Sequence, residues 1–444
     1  MGDMAELTKI DLRTLAIRWV EDLATDEGIN ASGKEDIFAC VFGRDTSLTC
    51  LKILRAHAKE AVPELLPVVR RALLTLVSLQ GKEVNIENGE EPGKFIHEFR
   101  HDWLLRMGQI NEKWYVGPDG KLRNYDSLDS TPLALLAIYK YWQATGDQEF
   151  LDSCQQAVVA GLDWIMKYGD KDKDFLLEYE LPKARRHDGL RVQSWTDSTE
   201  SMLDPSGKFP KYPIAPVEVQ GEAWCVLKIW EKYFEERNDP LAVMLHKFAG
   251  MQKKAFNEKF ILKDGEYHFV AQALDGYKRQ IRTITGNPLI CLWASIDGAD
   301  AECIIGDEYI DDLVKRIFES DMFDPKGGVR TMSTKALTFN GDSNSYHNGS
   351  FWPILNGLIS EGLENFGYIA EAQRLRETSL RAVEHFATPV ELYVVDGDGE
   401  LQEFGNEIQR GCLVQAWSAA AVLDWASSVQ VEAANISAAS AEAA

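Results

Sequence analysis

The feature that most constrains this chain is its hydrophobic period. From Val62 the apolar residues fall at Leu65, Leu66, Val69, Leu73, Leu76 and Val77. From Val219 they fall at Ala223, Val226, Leu227, Trp230, Tyr233 and Phe234. Both runs keep the i, i+3, i+4, i+7 spacing of an amphipathic helix. The stretch from Pro132 to Tyr141 is apolar on nearly every side, which predicts a helix buried all round. Gly146 suits a left-handed helix end and Asp147 an N-cap for the next helix, and Gly367 stands at a similar joint. Counting such runs gives roughly twelve helices, starting near residues 7, 46, 63, 131, 149, 217, 240, 288, 307, 349, 368 and 412. Several come in close pairs. Between pairs lie long connections near 81–129, 170–216, 259–286, 320–348 and 388–411. Long loops in a compact domain are uncommon and usually functional. Hairpin-like pieces stand inside them at Phe175–Glu180, Tyr267–Val270 and Glu391–Val395. The pattern predicts an all-α (α/α)6 barrel of six helical hairpins with short β-hairpins in the loops. A helical solenoid would show repeats of fixed period, and none is evident. No Pro/Ser linker divides the chain. One barrel domain over 1–428 is expected, with a disordered tail of small and polar residues over 429–444.

Of the 444 residues, 45% are hydrophobic, enough for a large core without metal or disulfide staples. Asp and Glu number 70 against 47 Lys and Arg, a net charge of -23. That balance argues against a nucleic-acid partner and against anionic membranes. It suits a neutral substrate. Seven cysteines, with no CxxC pair, suggest neither a disulfide framework nor a zinc ribbon. The N-terminus carries acids where a secretory signal needs bases, and no long apolar run appears. A soluble cytoplasmic protein is expected, and its oligomeric state stays open.

The long loops are dense in aromatic, acidic, amide and basic residues, as in GLRVQSWTDSTES (189–201) and SNSYHNGSFWP (343–353). Rings stack on the apolar faces of pyranoses, while carboxylates, amides and arginines take the hydroxyls. Eight segments sharpen this reading: FGRDT (42–46), GKFIHEFR (93–100), YDSLDSTPL (125–133), GLRVQSWTDS (189–198), PIAPVEVQGEAW (213–224), YHNGSFWP (346–353), PVEL (389–392) and VQAWSAAAVL (414–423). In this order they resemble the amylo-α-1,6-glucosidase part of glycogen debranching enzymes and, more distantly, the glucoamylases.

The resemblance implies an (α/α)6 barrel and an inverting, exo-acting α-glucosidase that needs no cofactor or metal. It implies Asp197 as general acid and Glu391 as general base, with Glu403 and Glu407 as alternatives for the base in the same loop region. Asp197 would be held protonated by burial or by Glu200 or Glu218, and Glu391 held ionised by solvent or hydrogen bonds. Arg44 and Asp45 would grip the sugar, beside Phe42, Glu98, Arg100 and Asp126. Trp195, Trp352 and Trp417 would be stacking walls. His347, Asn348, Glu218 and Gln220 would be polar contacts. FGRD arrives at residue 42, which predicts a chain without the extra N-terminal domain of related debranching proteins and favours a short neutral oligosaccharide or small glucoside. Alternatives on the same barrel are an inverting disaccharide phosphorylase and a sugar-binding barrel without catalysis.

Other motifs compete less well. HEFRH (97–101) matches HExxH, but it alternates like a strand and is not expected to bind zinc. GDKDKD (169–174) and DGDGE (396–400) resemble calcium loops yet lack the glycine at the sixth position, so both read as solvated turns.

Overall fold

The computed structural model describes residues 9–101, 113–296, 301–340, 345–405 and 410–427. Glu407 and the segment 429–444 lie outside the described residues. The fold is mostly helical, with small antiparallel sheets. The helices are α1 (Lys9–Leu23), α2 (Gly43–Lys59), α3 (Leu66–Ser78), α4 (Ser130–Thr145), α5 (Gln148–Trp164), α6 (Val217–Glu235), α7 (Leu241–Lys259), α8 (Ile290–Trp293), α9 (Asp307–Ile317), α10 (Pro353–Asn365), α11 (Ile369–Phe386) and α12 (416–427).

The even-numbered helices form the interior. α2 packs on α4, α4 on α6, α6 on α8, and α8 on α10. The odd-numbered α3, α5, α7 and α11 each pack on their preceding partner. α4 is apolar nearly all round because it is covered on nearly all sides. Lys52 of α2 ties the two ends of this succession together. Its buried ammonium donates to Gly357 O at 2.9 Å and to Glu361 of α10 at 2.6 Å, and pairs with Asp424 of α12 at 3.4 Å. A lysine so buried needs such partners to offset its lost hydration.

Local signals place the joints. Gly146 ends α4 at φ 67°, and Asp147 accepts from Phe150 N at 2.9 Å to open α5. Gly367 turns between α10 and α11 at φ 80°. Gly43 opens α2, where any side chain would strike the Ile96 carbonyl. That close approach brings 41–42 beside Glu98–Arg100, which pairs in turn with Leu122–Asn124. Glu98 and Arg100 therefore stand on a central strand, as the alternation in HEFRH predicts.

Two expectations change. Phe175–Glu180 makes no hairpin; only Tyr179 bridges, to Ile214. The solvated-turn reading of GDKDKD fails at Asp170, which is 2% exposed and accepts the Asp174 and Phe175 amides at 3.0 and 3.2 Å. Asp172 and Asp174 gather around Lys278 at 3.0 and 3.1 Å, and Lys259 also holds Asp174. These two lysines supply the positive charge there. Tyr267–Val270 and Tyr393–Val395 do form hairpins, with Ile261–Asp264 and Leu401–Glu403. Asp396 sits in the exposed turn of the second. All seven cysteines are buried and free. No described helix is long and apolar enough to cross a membrane.

Candidate active site

A cavity of about 280 Å³ is lined by Phe42, Arg44, Asp45, His97, Glu98, Arg100, Trp195, Asp197, His347, Trp352, Glu391 and Trp417, with further residues from the same loops. These side chains come from the N-terminal ends of α2 and α12 and from the connections leading into α4, α6, α10 and α12. Chain segments far apart in sequence thus meet at one end of the inner helices.

Asp197 and Glu391 face this one cavity. Arg44 holds the first. Its Nη1 donates to Asp197 Oδ2 at 3.1 Å, Nε to Asp129 Oδ2 at 2.6 Å, and Nη2 to Ser194 O at 2.9 Å. Asp129 is fully buried and takes most of the guanidinium's charge. Burial raises the Asp197 carboxyl above its ordinary value; Arg44 opposes the rise and Asp129 adds to it. The neighbour that raises it is Asp129, in place of the expected Glu200 or Glu218.

Glu391 is 2% exposed, so it is not the better-solvated carboxylate that the sequence suggested. It is instead well bonded. Oε2 accepts from the Cys412 amide at 2.9 Å, and Oε1 accepts from the Tyr346 hydroxyl. Burial still pushes it up to about 7, against these donors, and Asp197 raises it further. Asp45 is pushed up to about 7 by burial, with Arg44 opposing. Its Oδ1 accepts from Gln415 Nε2 at 3.1 Å. Three carboxyls thus share one small space and compete for protons. Such groups titrate as a set.

The walls are aromatic. Trp352 packs edge-on to Trp195 and Trp417 and lies stacked on His347 at 4.7 Å. His347 Nδ1 accepts from the Ser198 amide, and burial keeps the ring neutral. The indole N–H of Trp195 is used by Asn287, and that of Trp352 by Ser350. Three buried polar atoms on cavity residues find no protein partner: His97 Nδ1, Gln415 Oε1 and Trp417 Nε1. A buried polar atom without a partner costs about 1–3 kcal/mol, and none of the three is itself exposed to the cavity.

Four residues anticipated as sugar contacts are not on the cavity wall. Asp126 is bound by Arg185 at 2.7 Å and by the Leu190 amide. Gln220 bonds both backbone groups of Leu177 and the Pro216 carbonyl. Asn348 holds the Thr338 carbonyl and the Asn340 amide. Glu218 is fully buried in the first turn of α6, beside Ser194 and Asn287. Glu403 is exposed and borders a different cavity. Tyr346, His97 and Gln415 line the site without having been singled out as contacts. His97 leaves no zinc reading: it lies in the cavity, while His101 pairs with Glu27.

The Glu218 carboxyl carries its own test. Burial raises it to about 7 from an ordinary 4.5. A raised carboxyl binds its proton more tightly in the folded state, so stability falls as pH rises from 4.5 through 7. Glu218→Gln removes that cost. Urea unfolding at pH 8 should show a gain of up to about 3 kcal/mol, and unfolding at pH 4.5 almost none. An equal change at both pH values would contradict the assignment.

Residues 75–424 match the amylo-alpha-1,6-glucosidase family. The chain belongs to this family. No curated protein matches the sequence. Among solved structures, the amylo-alpha-1,6-glucosidase family chain is similar to the GH63 mannosylglycerate hydrolase from Thermus thermophilus in complex with glucose. The TM-score is 0.64 at 14% identity, covering 93% of this chain and 99% of that one. An uncharacterized conserved protein from the same organism gives 0.65 at 13%, with the same coverage. A wild-type glycosidase gives 0.56 at 13%, covering 96% and 98%. Membership places the chain among glycoside hydrolases, and the solved structures share its fold.

Proposed function

We propose that the helix pairs close into an (α/α)6 barrel and that the cavity hydrolyses short neutral α-glucosides, α-1,6-linked ones among them, from the non-reducing end with inversion. The carrying observation is that Asp197 and Glu391 line one cavity together with the buried Trp352 and Trp417. A cavity of about 280 Å³ suits one terminal sugar. Asp197 keeps 26% of its side chain exposed, so it faces the open side, where a leaving group would stand. Glu391 lies deeper.

In this reading Asp197 protonates the glycosidic oxygen. Water between Glu391 and the anomeric carbon loses a proton to Glu391 and attacks from the opposite face. Inverting pairs stand about 6.5–9.5 Å apart to leave room for that water. Asp45 serves the sugar hydroxyls, and Trp195, Trp352 and Trp417 form the walls. Arg44 positions Asp197, since its donors are taken up by protein acceptors. That the similar mannosylglycerate hydrolase was solved in complex with glucose is in keeping with a hexose ligand.

The test is glucose release from methyl α-glucoside and isomaltose in phosphate-free buffer. Release supports hydrolysis. A strict need for phosphate would mark a phosphorylase, and binding without turnover a non-catalytic sugar-binding barrel.

A further inference from the structure

We infer that the leaving-group side of this cavity selects an uncharged, apolar aglycone, such as an alkyl chain. The inference rests on the reading above, in which the sugar fills the deep end. The mouth is built from Ile37, Phe38, Leu190 and Trp114. Ile37 is 48% exposed, although isoleucine is normally buried, and the other three are half-buried. They continue inward to Phe42, whose ring meets Phe38 edge-on at 5.6 Å. An apolar strip thus runs from the exposed Ile37 to Phe42 in the lining of the cavity that Asp197 also lines.

The strip is held in place before any ligand arrives. Arg100 Nη2 donates to the Ile37 carbonyl. The Ala31 amide donates to Cys40 O, and the Ala416 amide to Ala31 O, both at 2.9 Å. A fixed wall loses little entropy when a chain lies on it.

Charge argues for the same occupant. The cavity's described residues include four carboxyls, Asp45, Glu98, Asp197 and Glu391, against two guanidiniums. Arg44 is bound to Asp129, Asp197 and Ser194, and Arg100 to Glu98 and Ile37 O. Burial keeps His97 and His347 neutral. Both guanidiniums are thus already engaged by protein acceptors and offer nothing to an anionic aglycone. A second sugar could stack on Trp114, but Ile37, Phe38, Leu190 and Trp114 offer no carboxylate, side-chain amide or guanidinium for its hydroxyls. An alkyl chain needs only apolar contact, roughly a fourfold gain for each methylene fully buried.

The experiment compares α-glucosides of four primary alcohols: methanol, hexanol, 3-hydroxypropanoate and glucose itself (isomaltose). The expected result is a kcat/KM for the hexyl glucoside at least tenfold above the methyl, with the carboxylate compound last. Ile37→Asn and Leu190→Asn should each shrink the hexyl-to-methyl ratio several-fold. Isomaltose or the carboxylate leading the series would overturn the inference, as would equal rates for hexyl and methyl. Calorimetric binding of methyl and hexyl 1-thio-α-glucosides separates the two readings. Tighter hexyl binding without turnover of any glucoside would retain the apolar mouth and reject the hydrolase. Turnover with no chain-length dependence in rate or binding would reject the apolar mouth alone.

Discussion

Glu391→Gln should lower kcat roughly 10³-fold, the scale of a lost general base, while the far-UV spectrum and unfolding midpoint change little. The amide keeps the shape of the carboxylate: its oxygen can accept from the Cys412 amide, and its NH2 can donate to the Tyr346 hydroxyl once that hydroxyl turns. It cannot take a proton from water. Azide, a nucleophile that needs no base, should recover part of the rate by attacking from the Glu391 side. The pH profile adds a second readout. The active form carries one proton across the acid–base pair, so the wild-type rate should be bell-shaped. Glu391 lies near 7 and Asp197 above its ordinary value. Falling pH protonates both carboxyls and rising pH strips both, so the limbs belong to the pair rather than to either residue. In Glu391→Gln one limb should vanish. A near-normal rate in this variant would move the base elsewhere in the same loop.

Asp197→Asn should show a loss that depends on the leaving group. For methyl α-glucoside, whose alkoxide leaves poorly, the fall should be roughly 10³-fold. For α-glucosyl fluoride, which departs with little help from an acid, it should be tenfold or less. That contrast separates a proton donor from a residue that only shapes the pocket, since a misshapen pocket would slow both substrates alike. Arg44 makes the variant informative. Its contacts with Asp129 and Ser194 remain when the Asp197 charge is removed, so the guanidinium stays in place. Equal losses on both substrates would count against the acid assignment.

Much of the fold was legible because helices write their period into the sequence. The joint at Gly146–Asp147 followed from local chemistry alone, a left-handed glycine and a side chain reaching an amide three residues on. Helix starts were less sharp. α2 begins at Gly43 because of the approach to Ile96, a contact between segments that no local pattern reveals. The same limit explains the site. Asp197, Glu391, Arg44 and the three tryptophans sit in motifs whose residue types suit sugar chemistry, and they meet in one cavity.

The misplaced residues fail for one reason. Gln220 and Asn348 are polar and lie in motifs, but their partners are backbone groups, at Leu177 for Gln220 and at Thr338 and Asn340 for Asn348. Asp126 is spent on Arg185. A polar residue in a motif looks the same whether it faces a ligand or braces a loop. Tyr346 shows the converse. It adjoins His347, yet its role follows only from the convergence of two loops that sets its hydroxyl against Glu391. The backbone amide of Cys412 leaves no mark in a sequence at all.

The most direct test of the account is the configuration of the first sugar released. Proton NMR during hydrolysis of an α-glucoside, read before mutarotation, should show the β-anomer appearing first, because water activated at Glu391 enters opposite the group that Asp197 protonates. The α-anomer appearing first would mean that the two carboxyls do not divide the work in this way.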